Sequence, residues 1–359
     1  MVGRTRTALF TLVILAAACG GELLHAQQTV SSYVDSAHAL VARSITPRTD
    51  SSPPAEPPQA WMEYIGEYGS PHDPVVLLEH AGSLHVLFGG MALQPLKQIA
   101  RDTFQLASDT TPLVFVRDRS RRVAAVSVQY AWLERRALGP EDGATFRIKP
   151  LKPADELRRI ALAASPPVES GEFLTTDLVE VRSLDPTIHY DIRYATDNNF
   201  MGDVFYSEPH AFMQRAAAEA LARAANRLRA QGYGLMVHDA YRPWYVTKMF
   251  LDATPDSLRE FVADPANGSR HNRGAAVDLS MYDLKTGKTV VAVSGYDEFS
   301  PRAYPEYAGG TSRQRWYRAA LRAAMEAEGF AVYRNEWWHF DYGEWRRYRI
   351  GNQRFEDMR

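Results

Sequence analysis

Two short stretches hold most of the residues that could do chemistry. Ser269-Arg270-His271-Asn272-Arg273-Gly274-Ala275-Ala276-Val277-Asp278 brings an imidazole and a carboxylate, and Glu336-Trp337-Trp338-His339 brings a second imidazole with a carboxylate three residues before it. His271, Asp278 and His339 together form a set of two imidazoles and one carboxylate. That set suits zinc in an open catalytic site, with three protein ligands and a fourth position left for water. Gly274, between His271 and Asp278, lets the backbone swing the imidazole back over the carboxylate. The one cysteine of the chain is Cys19, far upstream, so no thiolate joins the set. A lone buried histidine is more often satisfied by a backbone partner, and it is the conjunction of the three that points to one metal ion per chain.

Glu336 and Arg242 extend the set. A carboxylate beside an activated water takes its proton and passes it to a leaving amine. The plain alternative for Glu336 is a turn residue paired with a surface arginine, but Trp337 and Trp338 are expected to wall it from bulk water and raise its basicity. Arg242 sits in Asp239-Ala240-Tyr241-Arg242-Pro243, where Pro243 pushes it out of helical geometry into a strand-to-loop corner. There it could stabilise the oxyanion of a tetrahedral intermediate, with a structural salt bridge to Asp239 as the alternative.

The elements around these residues read as a mixture of helices and strands. Ala211 to Ala230 repeats its apolar residues at helical spacing and ends at Gly232. Gly234 to His238 is a buried strand delivering Asp239 and Arg242 to its end. A short helix follows over Trp244 to Ala253 and another over Pro255 to Ala263, then a strand over Ala275 to Met281, a turn and a run over Lys288 to Val293. A long helix spans Thr311 to Glu328, and closing strands cover Phe330 to Tyr333 and Trp337 to Tyr342. Hairpin turns between some of the strands make this region, residues 172–359, α+β and not a doubly wound parallel sheet.

Upstream, residues 59–150 carry short apolar runs separated by turn residues, including Val75 to Leu78, Leu84 to Phe88, Leu113 to Val116 and Val123 to Val128. They predict a small antiparallel β domain, a sandwich or partial barrel, with no chemistry in it. Its His72, His80 and His85 read as surface or packing residues. Residues 27–58 end in Ser51-Ser52-Pro53-Pro54-Ala55-Glu56-Pro57-Pro58 and read as a tether, and residues 151–171 as a linker.

With 359 residues, 45% of them apolar and 11% aromatic, the chain has material for two cores. Its formal net charge of −2 and the absence of a basic run speak against a nucleic-acid partner. Residues 1–26 read as an export signal: Arg4 and Arg6, an apolar run from Ala8 to Ala18, then small residues. That run falls short of the roughly 20 residues a membrane span needs. Two readings stand, a signal peptide cut after Ala18 or Ala26, and a lipoprotein signal in which Leu15-Ala16-Ala17-Ala18-Cys19 resembles a lipobox and a lipidated Cys19 anchors the protein to a membrane. Either way the expected location is exported, in the periplasm or as an outer-membrane lipoprotein.

Four stretches together resemble the zinc D-alanyl-D-alanine dipeptidases of the vancomycin-resistance type. They are Asp191-Ile192-Arg193-Tyr194-Ala195-Thr196 with Asn199-Phe200, then Asp239 to Pro243, Ser269-x-His271-x-x-Gly274-x-Ala276-x-Asp278, and Glu336-x-x-His339. The last two are shared across the wider family of zinc D-Ala-D-Ala peptidases, and the first two resemble its dipeptidase branch. The resemblance implies a mixed sheet with helices, zinc on His271, Asp278 and His339, Glu336 as base and acid, and Arg242 on the oxyanion. It further implies that Asp239, Ser269 and Tyr194 shape a dipeptide pocket and that Asp297 meets the free amino terminus of a D,D-dipeptide. The family usually leads into that aspartate with Met-Gly-Thr, where this chain has Ala292-Val293-Ser294. The expected activity is hydrolysis of D-Ala-D-Ala or a related dipeptide. Its rivals are a D,D-carboxypeptidase or endopeptidase acting on peptidoglycan stems, and a non-catalytic zinc-containing binding protein of the cell envelope.

Overall fold

The computed structural model describes residues 37–50, 52–89, 92–140 and 144–358, so the expected export signal and Cys19 lie outside the described residues. The chain divides into two units, the first comprising residues 1–138 with 306–316 and the second residues 139–305 with 317–359. Among the described residues no helix is long and apolar enough to cross a membrane.

The first unit is a meander of eight antiparallel strands in sequence order: β1 (Gly66–Tyr68), β2 (Val75–His80), β3 (Ser83–Leu87), β4 (Gln94–Ala100), β5 (Thr103–Leu106), β6 (Pro112–Arg117), β7 (Val123–Val128) and β8 (Ala131–Glu134). Its ends meet. The Gly69 amide donates to the Glu134 carbonyl at 2.8 Å and the Arg136 amide to the Glu67 carbonyl at 2.8 Å, so the sheet closes on itself as a barrel. Alternation decides what fills it: Val75 and Leu77 point inward with Val86, Phe104, Leu113, Phe115 and Val126, while Val76 and Leu78 face outward. That outer apolar face is covered by α1 (Ala37–Ile45), through Ala42 and Ile45, and by Ala308. The stretch expected to be a tether therefore holds a packed helix, because its apolar residues find a partner that only the folded barrel provides. Gly310 likewise pairs beside Leu78, and its carbonyl accepts from the Glu79 amide at 3.0 Å.

The second unit is built on a five-stranded mixed sheet of order β10 (His189–Tyr190), β12 (Tyr233–Asp239), β13 (Ala276–Asp283), β15 (His339–Tyr342) and β14 (Phe330–Val332), parallel only between β10 and β12. A two-stranded ribbon pairs β9 (Leu178–Glu180) with β11 (Phe212–Gln214). The helices in chain order are α2 (Ala154–Ala163), α3 (Val181–Leu184), α4 (Arg215–Arg229), α5 (Trp244–Ala253) and α6 (Ser312–Glu326), whose first turns belong to the first unit. On α4 the buried residues Ala217, Leu221, Ala224 and Leu228 recur at three- and four-residue steps, as its periodicity requires.

Three stretches differ from expectation. Residues 151–171 form part of the second unit: α2 buries Leu157 and Ala161, Leu151 donates to the Ala253 carbonyl at 2.9 Å, and the Glu169 carboxylate accepts from Arg273 at 2.6 Å. Glu169 gains its partners, Arg273 and the Ile350 amide, only when the chain folds back. Lys288 to Val293 forms isolated bonds to β13 without becoming a strand, and the second short helix is a 3-10 segment over Asp256–Phe261.

Gly274 is the residue that aims the site loop. It ends a 3-10 turn over His271–Arg273 with φ 64° and ψ 25°, a left-handed conformation that a side chain disfavours, and an added Cβ would run into Leu178. We expect Gly274→Ala to lower the stability of this unit by about 1–3 kcal/mol in chemical denaturation, with a fall in zinc affinity as His271 is displaced.

Candidate metal centre

Asp239, Asp278 and His339 stand abreast on β12, β13 and β15, each the register partner of the next. A bulge at His238 in β12 sets this row, since it shifts the pairing between Val237 and Asp239. The turn over His271–Arg273 then brings His271 across the row, where its backbone carbonyl accepts from the Arg242 amide at 3.1 Å.

Three donor atoms converge as a result. His271 Nε2 lies 3.3 Å from Asp278 Oδ1, His339 Nδ1 lies 3.0 Å from the same oxygen, and the two nitrogens are 3.1 Å apart. A tetrahedral ion with bonds of about 2.0–2.1 Å needs its ligands roughly 3.3 Å from one another, which this triangle nearly meets. Asp278 Oδ1 is buried and has no aligned hydrogen-bond donor, close as the imidazoles are. An oxygen so placed fits a cation better than it fits its neighbours.

Each ring is oriented from behind. His271 Nδ1 donates to the Ala240 carbonyl at 2.6 Å, which leaves Nε2 as the lone-pair nitrogen. His339 Nε2 donates to Asp341 Oδ1 at 2.9 Å, which leaves Nδ1. The remaining oxygen of Asp278, Oδ2, accepts from the Tyr296 hydroxyl at 3.1 Å. Burial would raise the Asp278 carboxyl, but the two imidazoles outweigh it and hold it well below the usual carboxylate range.

Glu336 Oε2 is 3.7 Å from His339 Nδ1, and burial pushes its carboxyl up to about 7. Arg242 is bound through Nε to Asp239 Oδ2 at 2.8 Å, with Nη2 2.7 Å from the same oxygen and 3.7 Å from Asp278 Oδ2. The salt bridge that the sequence offered for Arg242 is present, and it holds the guanidinium in the pocket wall.

His271, Asp278, His339, Glu336, Arg242, Ser269, Tyr194 and Asp297 all line one pocket that opens to solvent. Tyr194 donates to Asp297 Oδ2 at 2.7 Å, and burial together with Asp278 raises the Asp297 carboxyl well above its ordinary value. Ser269 Oγ accepts from the His271 amide at 3.2 Å. Asp239 is the exception among the expected pocket residues: it is fully buried behind Arg242, accepts from Tyr206 at 2.7 Å, and lines no part of the pocket. Trp337 and Trp338 also differ from expectation, since both are buried away from the pocket, whose aromatic walls are Tyr194, Phe200, Phe250, Phe261, Phe299 and Tyr333. Trp337 Nε1 donates to Ser294 Oγ at 2.8 Å and so ties the Glu336 turn to the loop that carries Asp297.

Comparison with known proteins agrees with this geometry over the second half of the chain. A family model described as D-ala-D-ala dipeptidase, of the M15 peptidases, matches residues 174–358. The chain belongs to that family. The chain is similar to the D-alanyl-D-alanine dipeptidase of Escherichia coli (strain K12), 31% identical over 167 residues that make up 46% of this chain and 85% of the relative. Those of Enterococcus faecalis (strain ATCC 700802 / V583) and Streptomyces coelicolor (strain ATCC BAA-471 / A3(2) / M145) are 34% and 32% identical, covering 88% and 92% of the relatives and 44% and 46% of this chain. M15 is a family of zinc metallopeptidases, and this member has in His271, Asp278 and His339 a candidate metal site.

Asp341, Tyr296 and Tyr333 were not singled out in the sequence. Asp341 had a signal, because in His339-x-Asp341 on a strand the two side chains share a face, whereas Tyr296 reaches Asp278 from a distant loop. We expect Asp341→Ala to weaken zinc binding about 10- to 100-fold in chelator competition, with the circular dichroism spectrum unchanged.

Proposed function

We propose that the chain is a zinc-dependent dipeptidase hydrolysing D-Ala-D-Ala or a close D,D-dipeptide. The observation that carries this reading is the convergence of the His271, Asp278 and His339 donor atoms in one pocket with Glu336 and Arg242. The names of the relatives supply the substrate class.

When bound by His271, Asp278 and His339, zinc supplies Lewis acidity that polarises a carbonyl and makes a water easy to deprotonate near neutral pH. Glu336 takes the proton of the attacking water as its oxygen bonds to the scissile carbonyl carbon. A carboxyl raised to about 7 serves as base and as acid at neutral pH, so the same group returns that proton to the leaving amine when the C–N bond breaks. Arg242, held by Asp239, offers its guanidinium to the oxyanion that forms between these steps. Phe200, Phe250, Phe261 and Phe299 leave room for a small substrate and exclude water around it. The N-terminal sequence supports an exported enzyme, in the periplasm or tethered to a membrane through Cys19. Loss of fatty-acid labelling in Cys19→Ser would support the tether, and unchanged labelling would remove it.

The deciding assay is release of D-alanine by the zinc-loaded protein from D-Ala-D-Ala, a peptidoglycan stem pentapeptide and L-Ala-L-Ala. We expect turnover of the D,D-dipeptide alone; turnover of the pentapeptide would make the protein a D,D-carboxypeptidase. Glu336→Ala is expected to retain zinc and lose about 10²- to 10⁴-fold in kcat, and an unchanged rate would remove Glu336 from the mechanism.

A further inference from the structure

Arg270 lines the same pocket, yet none of the chemistry above uses it. It and Arg242 are the guanidinium groups of the lining. The two are held differently. Arg242 is committed to Asp239 through two nitrogens on one oxygen. Arg270 is fixed by packing: its guanidinium carbon lies 5.5 Å from the Tyr333 ring centroid and 5.1 Å from that of Trp345. Its nearest carboxylate oxygen, Asp341 Oδ2, is 3.4 Å from Nε, yet Nε is buried and has no aligned acceptor. The side chain keeps 35% of its surface exposed. Tyr333, which flanks it, also stands against the ring of His339, at 5.3 Å between centroids. A preoriented cation with unused donors thus forms part of the wall beside the metal ligands.

We infer that Arg270 is the anchor for the free C-terminal carboxylate of the substrate. The inference rests on the dipeptidase reading and adds to it a residue that selects for the chain end. A dipeptide at neutral pH ends in a carboxylate close to the scissile bond, and a planar guanidinium matches it with two parallel N–H donors. An internal peptide bond has no such charge to offer the guanidinium. The competing role is mechanical, in which Arg270 steadies Asp341 and through it His339.

The experiment compares D-Ala-D-Ala with its C-terminal amide on zinc-loaded wild type, R270Q and R270K. We expect R270Q to raise KM for the acid about 10- to 100-fold with little change in kcat, as loss of a charge-assisted pair would. The amide should be turned over equally by wild type and R270Q, zinc content should be unchanged, and R270K should recover part of the loss. An unchanged KM for the acid overturns the assignment, as does an equal loss on acid and amide, which with lowered zinc affinity would mark the mechanical role. If wild type turns over neither compound, the dipeptidase reading fails on its own. Calorimetric binding then decides the anchor: a preference for the acid that R270Q abolishes upholds it, and equal binding or none overturns it.

Discussion

Too many acids meet in one buried place. Asp239, Asp278, Asp297, Glu336 and Asp341 all feel one another or the same histidines, and burial acts on every one of them. Arg242 and Arg270 are the guanidinium groups close enough to answer them. Buried charge has to be paired, protonated or bound to metal, and this cluster shows the first two responses and a donor set fit for the third. Asp239 pairs with Arg242, burial drives Asp297 and Glu336 toward their neutral forms, and Asp278 Oδ1 is left facing two imidazole nitrogens without an aligned donor.

The fold meets that constraint by aligning strands. Side chains directly opposite on adjacent antiparallel strands are the closest cross-strand neighbours a sheet offers, so the row Asp239, Asp278, His339 makes proximity a property of register and not of loop conformation. Only His271 arrives from a turn, and there Gly274 in its left-handed conformation fixes the return of the chain. Outer partners then set which nitrogen of each ring faces inward: a backbone carbonyl for His271, a carboxylate for His339. Rigidity of this kind suits a site whose catalytic groups must stay within hydrogen-bond reach of a small substrate.

The first unit obeys a different logic. Its strands read as alternating apolar runs, and the closed barrel they form is filled by those inward residues. The runs in β2, β3, β6 and β7 were legible because they are continuous and apolar. β4, with Pro95, Lys97 and Gln98 among its residues, and β8, with Trp132 and Glu134 facing outward, were not, because half or more of each strand faces solvent and its apolar residues form no continuous run. Closure of β1 on β8 is a long-range event with no local signature.

By itself the sequence brought out His271, Asp278, His339, Glu336 and Arg242 as candidates, because metal chemistry restricts the usable side chains and their motifs lie in short windows. It also determined the α+β character of the second half, through helical periodicity in α4 and strand runs around Asp239 and Asp278. Tertiary structure alone decided that Asp239 stands behind Arg242, that the tryptophans beside Glu336 are core, and that residues 151–171 belong to the catalytic unit. It likewise brought Tyr296 and Arg270 to the centre. Each of these depends on which distant side chain fills the space next to a residue, and spacing along the chain carries no record of that.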